Sequence, residues 1–170
     1  MTLFGTKFRF GPVAQAFHWV VAALVIVAWL FPDDMTLHAT VGVAVFVLAA
    51  VRMAWRSLDR LPGKPPLRSA LARWSWRADV LLYALLFIVP ITGILGMVLG
   101  GHAVELYGFG AVGPSVAISA ELGHHLIDLH RLTGNLMILV AGVHSAFALF
   151  HHFVCKDGVL RMMLPGGRAA

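Results

Sequence analysis

Four of the nine histidines in this 170-residue chain stand where ionisable side chains are rare, inside or at the edge of long uncharged stretches. His144 lies within the charge-free run Leu132 to Cys155, and His18 lies within Phe10 to Pro32. His38 and His130 each stand near the start of an apolar run. An imidazole in hydrocarbon is costly and by default marks a working site. The chemistry open to it is metal or haem ligation, proton relay, or hydrogen bonding between helices. His144 follows His130 by fourteen residues. On a helix that is about 21 Å of rise, with a return to within ~40° of the starting azimuth, so both rings face the same side.

The elements that must carry them follow from composition. The chain is 59% hydrophobic and 12% charged, too apolar for a water-soluble domain of this size. Its uncharged runs, Phe10 to Pro32, Met35 to Val51, Val80 to Val104 and Leu132 to Cys155, approach the ~20 residues that cross a bilayer as helix. The expected fold is an all-α, integral membrane four-helix bundle, one domain over 1–170, with spans near 12–31, 37–56, 78–100 and 130–154. The first run follows Lys7 and Arg9 and has no cleavage pattern, so it reads as a retained span. Lys7, Arg9, Arg52, Arg56, Arg60, Lys64, Arg68, Arg73, Arg77, Lys156, Arg161 and Arg168 fall on one set of connections and tails. The positive-inside rule makes that side, and both termini, cytoplasmic. The outer connections hold Asp33, Asp34, Glu105, Glu121 and Asp128 against the single Arg131. The net charge of +5 is therefore a topology signal, and nucleic acid is not an expected partner.

The short link Pro32 to Thr36 implies an antiparallel helix pair. Leu61 to Leu67 (LPGKPPL) reads as an extended strap, followed by interfacial anchors at Trp74 and Trp76. Gly101 to Leu129 reads as a folded outer cap, and Pro90 with Gly93 predicts a local bend in the third span. With spans one and three running outward, His18 and His144 share the cytoplasmic level while His38 and His130 share the outer one. Two pairs of imidazoles at two levels suit two haem irons, each with both axial positions filled. A zinc site would gather three or four ligands in one place, and a proton relay would favour Asp or Glu along the spans. Hydrogen bonding across helices explains any one histidine but not four at matched depths. With a single cysteine, Cys155, there is no Cys-x-x-Cys-His site for attachment of a c-type haem. Cys155 itself reads as a small hydrophobe at the membrane edge.

Several neighbours have two readings. Arg52 lies fourteen residues after His38 and either pairs with inner-haem propionates or snorkels to the interface. Gly42 and Gly134 either admit a flat macrocycle to the backbone or serve helix crossing. His151, with His152, either meets a quinone head group or is solvated at the interface.

The chain resembles the bacterial cytochrome b561 family over nearly its whole length. The resemblance rests on AFHWVV around His18, LHATVG at His38, YALLFIVPITG in the third span, and LHRLTGNLMILVAGVHSAFALFHHFVCKDGVLRMMLP. Within the family it is similar to the branch whose characterised member is a superoxide oxidase reducing ubiquinone. The resemblance implies a multi-pass protein of the bacterial inner membrane with two haems b. His18 and His144 would ligate the inner haem, and His38 and His130 the outer. It further implies ubiquinone near the inner haem, close to His151, and superoxide oxidised to dioxygen on the periplasmic side. Family members often carry histidines near the cytoplasmic start of the third helix. Trp76 and Asp79 stand there in this chain, which makes Asp79 the candidate substitute at the quinone. The alternative role is an electron-carrying cytochrome b subunit linking a partner dehydrogenase or hydrogenase to the quinone pool. Lipid is a partner in both readings, and a stable protein partner only in the second.

Overall fold

The structure is a computed structural model that describes residues 10–59, 69–114, 117–156 and 159–164. The expected strap at 61–67 and the basic residues Lys7, Arg9, Arg60, Lys64, Arg68 and Arg168 lie outside the described residues. Helix α1 runs Pro12–Leu30 with proline at its start, where the missing N–H costs nothing and the ring presets φ. It stops before the Pro32–Asp34 link, and the Asp34 carboxylate caps α2, Met35–Leu58, by accepting from Leu37 N at 3.0 Å. Helix α3 spans Ser69–Leu99 and continues through Pro90. The hydroxyl of Thr92 donates to the Ile88 and Val89 carbonyls at 2.8 and 2.9 Å, so this side chain is satisfied within its own helix, as lipid surroundings require. The segment expected as an interfacial stretch with Trp74 and Trp76 is thus the first two turns of α3.

The outer cap contains a β-hairpin, β1 Val104–Leu106 antiparallel to β2 Gly110–Val112. Gly108 and Gly110 take positive φ at the turn, +80° and +74°, which glycine adopts without steric cost. Tyr107 N donates to Thr40 Oγ1 at 2.9 Å and pins the hairpin to α2, two residues from His38. Helix α4 runs Ala120–Phe150, beginning ten residues before the expected span. At ~1.5 Å per residue its 31 residues reach ~46 Å, more than the ~30 Å of hydrocarbon, so α4 is longer than a crossing needs. It passes into a π-helical turn, His151–Cys155, ended by Lys156 in the left-handed region. A short helix α5, Val159–Met163, then folds back on α1. There the buried Gln15 Nε2 donates to Met162 O and Trp19 Nε1 to Met163 O, both at 2.9 Å. The start of α1 and the end of the described chain therefore share one face of the bundle.

Packing is strongest within the pairs α1–α2 and α3–α4 and thinner between them, where α2 meets α3. Three glycines bring α3 and α4 together. A Cβ on Gly123 would lie 2.8 Å from Gly100 Cα and 3.0 Å from the Gly96 carbonyl, the small-residue contact by which membrane helices approach closely. Val21, Val25, Val41, Val45, Ala49, Leu85, Leu86, Val89 and Met137 form the core. Trp29, Leu30, Ile88, Leu95, Leu139 and many other large apolar side chains point outward. Outward apolar side chains on helices α1 to α4, each of which includes a stretch long and apolar enough to cross a membrane, mean that lipid is the solvent.

Candidate functional site

His38 and His130 approach each other from α2 and α4 at the outer level. Their ring centres are 5.7 Å apart and their planes 82° from parallel. A metal bonded to one nitrogen of each, about 2 Å per bond with roughly 1 Å more to each ring centre, spans ~6 Å. Each ring is anchored through its other nitrogen. His38 Nδ1 lies 2.9 Å from the Ala28 carbonyl and His130 Nδ1 lies 2.8 Å from the Val89 carbonyl. A carbonyl accepts only, so both Nδ1 atoms carry the proton and both Nε2 atoms keep a lone pair. This outer-shell bond is the one that metal-binding imidazoles characteristically make. Ala28 is available because α1 ends at Leu30, leaving carbonyls of its last turn without helical donors.

The space beside these rings also fits a flat group. Gly42 and Gly134 each follow an outer histidine by four residues, one helical turn on the same face. A Cβ added to either would meet nothing within 4 Å. Gly93 is the opposite case: a Cβ there would lie 2.9 Å from His130 Nδ1, so its bareness lets the ring reach Val89.

At the inner level, His18 on α1 lies within electrostatic range of His144 on α4 and of Arg52 on α2. The Nδ1 of His18 is buried and has no hydrogen-bond partner among the described residues. The Nδ1 of His144 is 3.6 Å from Asp79 Oδ1 on α3. Trp19 sets its ring edge-on to His18, with centres 5.3 Å apart, while its N–H holds α5. Arg52 and Arg56 both stack over the Tyr83 ring at 5.5 Å, and Arg56 donates to the Tyr83 hydroxyl at 3.4 Å. Arg52 is also within electrostatic range of Asp79. The inner level is thus two imidazoles, two guanidiniums, a phenol and a carboxylate. Among the described residues no three His, Cys, Asp or Glu side chains gather as a conventional metal-ion site would need.

His151, the first residue of the π-helical turn, is buried with its ring edge-on to Phe150. Beside it His152, Phe153, Lys156 and Arg161 line a hollow of about 300 Å³. At the outer end a hollow of about 380 Å³ lies under the hairpin, lined by Thr36, Glu105 and Tyr107 among others. Arg131, the outer arginine, sits 3.5 Å from Asp128, both largely exposed. Sequence reasoning missed Tyr83, Trp19, Gln15 and the two anchoring carbonyls. Tyr83 had a signal, since it is one of two tyrosines in the chain and the one inside a span. Ala28 and Val89 had none, because a main-chain acceptor leaves no mark on residue type.

Comparison with known proteins agrees with this architecture. A family profile described as prokaryotic cytochrome b561 matches residues 9–166. Cytochrome b561 homolog 2 of Escherichia coli (strain K12) is 28% identical, the match covering 96% of this chain and 95% of that one. A protein named probable superoxide oxidase CybB, from Yersinia pestis, is 29% identical over 89% of this chain and 93% of its own. Cytochrome b562 of Cereibacter sphaeroides is 31% identical, over 87% and 90% respectively.

Proposed function

The chain belongs to the prokaryotic cytochrome b561 family, and on that premise we propose that it carries electrons from superoxide on the outer side to ubiquinone on the cytoplasmic side. It is a multi-pass bacterial membrane cytochrome. We place it in the inner membrane, with both termini in the cytoplasm, from the distribution of its basic residues. His38 and His130 would hold an outer haem b, and His18 and His144 an inner one. A haem so held supplies a one-electron couple, and two in series carry charge across the bilayer.

The observation that carries this reading is the outer pair, two imidazoles facing at 5.7 Å with each Nδ1 committed to a main-chain carbonyl. That arrangement fixes the tautomer and leaves the Nε2 lone pair of each ring free for a metal. At the inner level Arg52 would neutralise haem propionates, the recognition for which a guanidinium fork is suited. Ubiquinone takes up two electrons and two protons on reduction. His151, at the inner boundary beside the basic hollow, is the candidate to donate a hydrogen bond and a proton. Asp79 either substitutes for a family histidine at the quinone or the site differs here, and its carboxylate lies 3.6 Å from His144 Nδ1.

Superoxide oxidation rests on the similarity to the Yersinia protein and on His38 standing in the first turn of α2, at the outer end of that helix. The expected result is a purified protein with two haems per chain by pyridine haemochrome. In stopped flow its haems are reduced by superoxide and reoxidised by a ubiquinone analogue. Haems inert to superoxide but reduced by a co-purifying protein select the second reading, a cytochrome subunit of a larger dehydrogenase or hydrogenase. Five outer carboxylates and the exposed Tyr107 and Phe109 of the hairpin favour that reading, since such a surface suits a basic protein partner. One haem per chain, or none, overturns both.

A further inference from the structure

We infer that Asp79 is a positioning residue for His144, orienting its ring through Nδ1 and holding the inner haem at a lower reduction potential than a neutral acceptor would. The inference deepens the proposal above and rests on His144 being an axial ligand. Asp79 Oδ1 and His144 Nδ1 are 3.6 Å apart, with both side chains about one-third exposed. That is charge-pairing distance and a few tenths of an ångström outside hydrogen-bond length. The two residues sit on α3 and α4, the most extensively packed pair of helices. Asp79 precedes Tyr83 by one helical turn, on the face of α3 toward Arg52.

Comparison of the four histidines isolates the effect. His38 and His130 give their Nδ1 protons to neutral main-chain carbonyls. His18 Nδ1 has no partner among the described residues. Among the described residues, His144 alone of the four faces an anion. A carboxylate drawing on the Nδ1 proton makes the ring more basic and a stronger donor to the metal. A stronger donor favours the ferric state, so the potential falls. The guanidinium of Arg52 is within range of both Asp79 and His18 and acts the opposite way. Neutralising Asp79 weakens the donor and leaves Arg52 less opposed, so both changes raise the potential. A low inner potential makes that haem the better reductant of an acceptor on the cytoplasmic side.

The test is a spectroelectrochemical titration of the purified full-length holoprotein, with low-spin EPR of each haem. Asp79→Asn is expected to keep both haems and to raise one potential by at least tenfold in the ferric-to-ferrous ratio, 59 mV for a one-electron couple. The other potential is expected to stay within twofold, and the highest g-value of only one low-spin signal to shift. Asp79→Glu restores the charge and is expected within threefold of wild type. If Asp79→Asn loads no haem, Asp79→Ser, equally uncharged and smaller, decides on the same criteria. Unmoved potentials in the neutral variants, or a shift in Asp79→Glu as large as theirs, overturn the inference. His144→Ala is run in parallel. Loss of one haem there keeps the premise intact whatever Asp79 does, and retention of both overturns the premise itself.

Discussion

The Nδ1 partner of each histidine is where the site's chemistry is decided. A ring free to spin offers its lone pair in every direction, whereas a ring tied to Ala28 or Val89 offers it in one. Gly93 shows how little room that tie has. A methyl there would meet the His130 ring at 2.9 Å, so Gly93→Ala should push the imidazole off the Val89 carbonyl. The expected outcome is a lower occupancy or altered EPR signal at the outer haem, with the inner haem unchanged, measured by haem count and spectrum. Equal loss at both levels argues for general unfolding instead. Of the four candidate histidines, His18 and His144 stand out in sequence because uncharged runs surround them, and fourteen-residue spacing sets His144 on the face of His130. The role of Gly93 was not legible, since it was read only as a place for a bend. A glycine that makes room for a ring looks in sequence like any other helix-breaking residue.

Among the elements, α4 carries one proposed ligand for each level, His130 and His144. Insertion of one alanine after Val140 turns everything beyond it by ~100° and advances it by ~1.5 Å. His130 keeps its place and His144 leaves its face, so the expected protein retains the outer haem and loses the inner one. A haem count of two in that variant contradicts the pairing of His18 with His144. The hydropathy of the spans made the membrane helices readable, but it underestimated α4 by ten residues. Ala120 to Leu129 includes Glu121, two histidines and Asp128, which carry no apolar signal. What starts the helix there is Ser119, whose hydroxyl accepts from Leu122 N at 3.4 Å, a local cap that hydropathy does not register. The hairpin at 104–112 was hidden for a related reason. Three-residue strands are too short for an alternating pattern, and only their glycines hinted at a turn.

For the molecule as a whole, charge is sorted by side. Basic residues line the face where α1 begins and α5 ends, and the opposite face presents Asp33, Asp34, Glu105, Glu121 and Asp128 against Arg131. Arg131 is itself beside Asp128, which leaves little to attract an anion. If superoxide is the donor, it approaches against a repulsive field. Salt screens that field, so the second-order rate of haem reduction should rise with ionic strength, severalfold between about 10 mM and 150 mM. A rate that falls with salt points to a positively charged donor, as a basic partner protein would be. One further property follows from α4 running unbroken from Ala120 to Phe150. Electron tunnelling weakens exponentially with separation, so a wire of two centres works only if their spacing is steady. If His130 and His144 each hold a haem as proposed, both centres are borne by the same continuous rod, and the bilayer can thin or thicken and α1 and α2 can tilt without lengthening the gap. The helix is in that sense a ruler, and it makes the transfer step insensitive to the lipid around it.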